Sequence, residues 1–214
     1  MPKKALIMVD LQNDFCQGGS LAVPGADEII SLANQLQPRF DLVIATKDWH
    51  PQDHTSFASN HPGHSVGDLI MINGISQILW QDHCVQKTYG AAFHPQLNTQ
   101  LIKKIFYKGT DKNIDSYSAF FDNAHRRATG LSDYLKEAQV EDVYIMGLAT
   151  DYCVKYSSLD AVQQGFNVFV MIGACRGVDL HPGDSTKAIY DMQTAGAHIL
   201  QTNDYNQFNI SMGS

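Results

Sequence analysis

Short apolar runs of strand length alternate with helix-period segments along almost the whole chain. Strands are expected at residues 4–10, 42–48, 105–108, 143–149, 167–172 and 198–201. Helices are expected at residues 26–37, 131–138, 151–164 and 186–195; in the first, Ile29, Ala33 and Leu36 share one face. Strands separated by helices pair in parallel, because a parallel neighbour needs a long crossover. Right-handed crossovers then place helices on both faces of the sheet. The expected fold is α/β: a single doubly wound, three-layer domain over residues 1–214 with a six-stranded, mainly parallel sheet.

Composition narrows the partners. Lys and Arg number 15 against 22 Asp and Glu, a net charge of −7, so the chain is a poor binder of nucleic-acid phosphates. No apolar run approaches the roughly 20 residues of a membrane span, so no membrane partner is expected. The apolar start Ala5-Leu6-Ile7-Met8-Val9 is stopped by Asp10, well short of a secretory signal core, and a cytoplasmic setting is expected. Cys16, Cys84, Cys153 and Cys175 have no metal-finger spacing and should be free thiols there. A small-molecule partner is left as the first expectation, with self-association into a homo-oligomer left open.

Residues 49–98 break the rhythm. They are rich in His, Pro, Gly and Asn, carry Trp49, Phe57 and Trp80, and read as an irregular insertion that binds metal or substrate. In open α/β sheets ligands bind beyond the carboxyl ends of the strands. Three of those ends carry reactive side chains: Asp10, Lys108 and Cys153. Parallel pairing would bring them to one rim although they are far apart in sequence. Cys153 would lie in the first turn of a helix capped by Thr150 or Asp151, where dipole and free N–H groups favour a thiolate. The N–H groups from Ala149 to Cys153 could hold an oxyanion. Asp10 could take the thiol proton and hand it to a leaving amine, giving a Cys-Lys-Asp nucleophilic set. Taken singly, each residue also has a bland role: a buried thiol, a turn cap, a solvated lysine.

Asp48 and His50 are two apart on an extended segment and so point the same way. With His83 they make a carboxylate-imidazole set suited to one divalent metal ion, Zn(II), Fe(II) or Mn(II). His54 could be a direct ligand or could hold a metal-bound water. His61, His64, His94, His125, His181 and His198 read as surface or structural.

Six segments, in order, carry a family resemblance: Val9-Asp10-Leu11-Gln12-Asn13-Asp14-Phe15-Cys16 with Gly18-Gly19-Ser20-Leu21-Ala22-Val23; Lys47-Asp48-Trp49-His50-Pro51; Trp80-Gln81-Asp82-His83-Cys84-Val85; Phe106-Tyr107-Lys108-Gly109; Asp115-Ser116-Tyr117-Ser118-Ala119-Phe120; and Gly147-Leu148-Ala149-Thr150-Asp151-Tyr152-Cys153-Val154. The chain resembles the nicotinamidases of the isochorismatase-like hydrolase superfamily over nearly its whole length. The resemblance implies that fold and the hydrolysis of nicotinamide to nicotinate and ammonia, a step of NAD salvage, with pyrazinamide as an alternative aromatic carboxamide substrate. It places the nucleophile on Cys153, the catalytic aspartate on Asp10, the lysine on Lys108 and the metal ligands on Asp48, His50 and His83. The Asp53-His54-Thr55-Ser56-Phe57 context resembles members in which water replaces a further histidine, so His54 stays outside the ligand set. A cis peptide would fall at Leu148–Ala149, with the Ala149 N–H serving the oxyanion. Phe15, Trp80, Tyr117 and Leu148 would contact the ring. The implied mechanism is a Cys153 thioester, with the metal anchoring the pyridine nitrogen rather than activating water.

Overall fold

The computed structural model describes residues 2–208. In chain order the elements are β1 (Lys3–Val9), α1 (Glu28–Leu36), β2 (Leu42–Asp48), β3 (Leu69–Ile72), β4 (Ile75–Ile78), β5 (Lys104–Lys108), α2 (Leu131–Glu137), β6 (Val140–Leu148), α3 (Lys155–Gln163), β7 (Asn167–Arg176), α4 (Asp184–Thr194) and β8 (His198–Leu200). Six strands form one sheet in the order β5-β2-β1-β6-β7-β8, and every pairing in it is parallel. The six expected strands are therefore all present, with ends shifted by a few residues.

Ala5 through Val9 are wholly inaccessible, which is why β1 reads as a continuous apolar run rather than an alternating one. Leu6 and Met8 face a layer built on Ile29, Ile30, Ala33 and Leu36 of α1. Ala5, Ile7 and Val9 face the other layer, which holds Leu131 and Leu135 of α2, Ala161 of α3 and Met192 of α4. Burying a Leu or Ile side chain is worth about 1.5–3 kcal/mol. A one-residue slip of β1 would exchange the two faces, so its register is firmly set.

The chain builds outward from β1 through β2 to β5, then returns to the other side of β1 with β6. The order therefore reverses between β1 and β6, where a crevice opens beyond the carboxyl ends of the strands. Asp10 follows β1, Cys153 follows β6, and Asp48 pairs in register with Lys108 across β2 and β5.

Two expectations are corrected. Residues 49–98 are not wholly irregular: β3 and β4 form an antiparallel hairpin joined by Asn73 and Gly74, at φ 52° and 81°. Asn-Gly between apolar runs is a strong hairpin signal, because both residues accept the left-handed conformation the tight turn needs. The expected helix over 151–164 divides into a π-helical turn (Thr150–Val154) followed by α3.

Candidate active site

Lys108 is the hub. Its stem is buried and its ammonium lies 2.8 Å from Asp10 Oδ2, 3.2 Å from Cys153 Sγ and 3.2 Å from the Ser116 carbonyl, and also donates to Asp48 Oδ1. Burial alone would strip the proton from such a lysine, but Asp10 and Asp48 hold its pKa well above the usual range. Burial likewise opposes charge on Asp48, yet Lys108 and His50 hold its carboxyl well below the ordinary value. Asp10 goes the other way: burial, reinforced by the Asp48 charge, raises it despite Lys108. One carboxylate is thus locked as an anion and the other is poised to exchange a proton.

The Cys153 thiol departs from the sequence expectation of a preformed thiolate. Burial pushes its pKa well above the usual thiol value; Lys108 opposes that rise, and Asp10 and Asp48 add to it. The local backbone also differs. Cys153 sits in the π turn, where the Tyr152 and Val154 N–H groups both donate to the Ala149 carbonyl. Neither Thr150 nor Asp151 caps that turn. Asp151 instead accepts from the backbone N–H groups of Val178 and Asp179, at 3.0 and 2.7 Å, and so ties the turn to the segment after β7. A carboxylate oxygen of Asp10, one of Asp48 and Cys153 Sγ lie within 4.8 Å of one another.

Beside this network Asp48 Oδ2 faces two imidazoles, His50 Nε2 at 3.6 Å and His83 Nε2 at 3.5 Å. Both distances exceed a good hydrogen bond. They suit ligands sharing one ion, since metal-ligand bonds of about 2.0–2.2 Å separate tetrahedral ligands by roughly 3.4 Å. The far nitrogens fix the tautomers: His50 Nδ1 lies 3.0 Å from the Gly109 carbonyl and His83 Nδ1 2.7 Å from the Gln81 carbonyl. A carbonyl accepts only, so each Nδ1 carries its hydrogen and each Nε2 offers a lone pair. His50 Nε2 is buried without a hydrogen-bond partner. Gly109 is required beside it, because a Cβ there would lie 2.3 Å from the His50 ring. The three residues fit a divalent cation.

His54 has the opposite tautomer. Its Nδ1 accepts the Ser56 N–H at 3.2 Å and meets the Ser56 hydroxyl at 2.7 Å, so the hydrogen sits on Nε2. Burial pushes this imidazole down to about 4, so it is neutral. Nε2–H is buried near the Ile114 backbone and makes no well-formed hydrogen bond among the described residues, and it cannot ligate a cation in this state.

A narrow cavity joins the two halves. Phe15, Trp80, Tyr117, Ala149 and Cys153 line it together with Asp48 and His83. The Trp80 indole N–H donates to the Tyr117 hydroxyl at 3.1 Å, which fixes two of its walls, and the Phe15 ring lies 5.4 Å from that of His83. The Leu148–Ala149 peptide is cis. Leu148 itself does not line the cavity; its side chain packs in the core on the α1 side of the sheet, because it is the last residue of a buried strand. Sequence reasoning missed Leu21, Asp115, Tyr152 and Val178, which also line the cavity. Leu21, Asp115 and Tyr152 stand inside the family motifs, whereas Val178 carries no local signal.

Comparison with known proteins agrees with this architecture. The isochorismatase domain matches residues 4–204. A nicotinamidase of Escherichia coli (strain K12) is 47% identical over 97% of this chain and 99% of its own length. A solved Acinetobacter baumanii nicotinamidase/pyrazinamidase superposes with a TM-score of 0.92 at 46% identity, covering 95% of this chain and 98% of that one. A Pyrococcus horikoshii pyrazinamidase solved in complex with zinc gives 0.76 at 36% identity, covering 94% and 99%. With the strand order, the rim residues and matches of this extent in agreement, the chain belongs to the isochorismatase family and, within it, to the nicotinamidases.

Proposed function

We propose that this chain hydrolyses nicotinamide to nicotinate and ammonia through a thioester on Cys153. The observation that carries the reading is the Lys108 ammonium in contact with Asp10 and Cys153 together, at a cavity also lined by Asp48 and His83. Phe15, Trp80 and Tyr117 hold the ring, and its carboxamide meets Cys153. Asp10 takes the thiol proton as sulfur bonds to the carbonyl carbon, so no free thiolate has to persist in a buried site. The Ala149 and Cys153 N–H groups receive the oxyanion. Asp10 then passes its proton to the amide nitrogen, the C–N bond breaks, and ammonia departs to leave the acyl group as a thioester on Cys153. In the second half Asp10 removes a proton from water as its oxygen bonds to the carbonyl carbon, and returns that proton to Cys153 Sγ as the C–S bond breaks, which releases the acid and restores both groups. Lys108 keeps its charge throughout and balances Asp10 whenever that group is ionised.

Asp48, His50 and His83 would hold one divalent cation, with zinc the first choice on the strength of the donor set and the zinc-bound relative. When bound, that ion supplies a positive anchor for the pyridine nitrogen, which positions the far carboxamide. His54 would steady a water beside it. Pyrazinamide is a second substrate in this reading, since its ring also presents a nitrogen lone pair. A single domain over residues 1–214 working in the cytoplasm, with four free thiols, completes the reading.

Ammonia release by the wild type and Cys153→Ala, each before and after chelation and metal add-back, tests it. The expected result is turnover by the wild type, none by the variant, and a raised KM after chelation. A variant that keeps its activity, and loses it on chelation, would instead point to attack by metal-bound water with Cys153 incidental.

A further inference from the structure

Thr46 takes no part in the chemistry above, yet it is wholly buried in β2 and its hydroxyl makes two contacts, both with Asp10. Thr46 Oγ1 donates to Asp10 Oδ1 at 2.6 Å and accepts the Asp10 backbone N–H at 3.2 Å. Asp10 needs such a hold. It is a non-glycine residue at φ 52°, in the left-handed region that few side chains adopt, and it lies just beyond the end of β1 where ladder bonding stops. Its carboxylate is pinned at both ends, with Oδ1 on Thr46 and Oδ2 on Lys108. The lysine pin is shared with Asp48, Cys153 and Ser116, whereas the threonine hydroxyl serves Asp10 alone.

We propose that Thr46 is a positioning residue that fixes both the backbone and the carboxylate plane of Asp10, so that the free lone pairs of Asp10 meet the Cys153 proton and the leaving nitrogen. This rests on the reading of Asp10 as the proton carrier. Loss of the hydroxyl leaves the Asp10 N–H and Oδ1 unpartnered and lets the carboxylate turn about its Cβ–Cγ bond.

Valine is the decisive substitution because it keeps the branched shape that β2 packs around and removes only the hydroxyl. Steady-state kinetics on the metal-loaded full chain compare wild type, Thr46→Val, Thr46→Ser and Asp10→Asn, with metal content and melting temperature measured in parallel. Thr46→Val is expected to lower kcat roughly 10- to 100-fold, as for a small misplacement of a reacting group, with KM changed less than about twofold. Metal content is expected to match the wild type. Thr46→Ser restores the hydroxyl and is expected to recover kcat to within about threefold of wild type. A wild-type kcat in Thr46→Val beside an inactive Asp10→Asn overturns the role of Thr46 while leaving that of Asp10 standing. So does an equal loss in the Ser and Val variants with lowered melting temperatures, which would mark a packing role. An active Asp10→Asn overturns the reading of Asp10 itself and the inference with it.

Discussion

The two halves of the crevice are built from similar residues but are completed differently. Around Lys108 every charged group has a partner supplied by the chain: two carboxylates, a thiol and a carbonyl converge on one ammonium. Around Asp48 Oδ2 the two imidazole Nε2 atoms face the carboxylate at 3.5–3.6 Å, too long for a good hydrogen bond and a fitting separation for ligands of one ion. The charges state the same contrast. Lys108 offsets Asp48, which is held as an anion, while burial raises Asp10 toward its neutral form, so the first half is balanced from within. The first half is a finished reactive centre, whereas the second is a socket. Removing a residue from the first should therefore damage chemistry or folding, and removing one from the second should damage ion and substrate binding.

Four variants test that division, beginning with the largest effect. Cys153→Ala should cut ammonia release by at least about 10³-fold while the bound metal, measured by elemental analysis, stays at the wild-type level. Loss of metal in this variant would erase the boundary between the halves. Lys108→Met leaves two buried carboxylates without their counter-charge. It should abolish turnover and cost about 3–5 kcal/mol in urea unfolding, the usual penalty for breaking a buried pair; an unchanged midpoint would show that the carboxylates are balanced by something other than Lys108. His83→Gln removes a socket lone pair. Metal affinity, read by competition with a chromophoric chelator, should fall at least roughly 10- to 100-fold, with KM rising and the unfolding midpoint of the metal-free protein little changed. His54→Gln should be mildest, with metal affinity changed less than about fivefold, because its Nε2 carries a hydrogen and Gln can also donate one. An effect as large as that of His83→Gln would make His54 a ligand and the tautomer argument wrong.

Much of this contrast was legible in the sequence. Parallel strands put their carboxyl ends on one rim, so Asp10, Lys108 and Cys153 could be gathered from strand ends alone, and the Asp48-x-His50 spacing survives folding because an extended backbone repeats every two residues. The β3–β4 hairpin was also legible, in Asn73-Gly74, but it lies in a stretch read as irregular. Leu148 failed for a different reason. It adjoins the reacting peptide in sequence, but alternation along β6 turns its side chain into the core.

The α/β order, the doubly wound sheet and the residue types at each strand end were written in the order of residues alone. Those follow from local periodicity and from the chirality of the crossovers, which act over short stretches of chain. Folding in three dimensions set the rest: the Cys153 thiol stays protonated, Asp10 and Asp48 shift in opposite directions, and His54 turns a hydrogen rather than a lone pair toward its neighbours. Each of these depends on burial and on through-space distances of a few ångströms between segments far apart along the chain, and at such distances in a dry interior one neighbour can reverse the state of another.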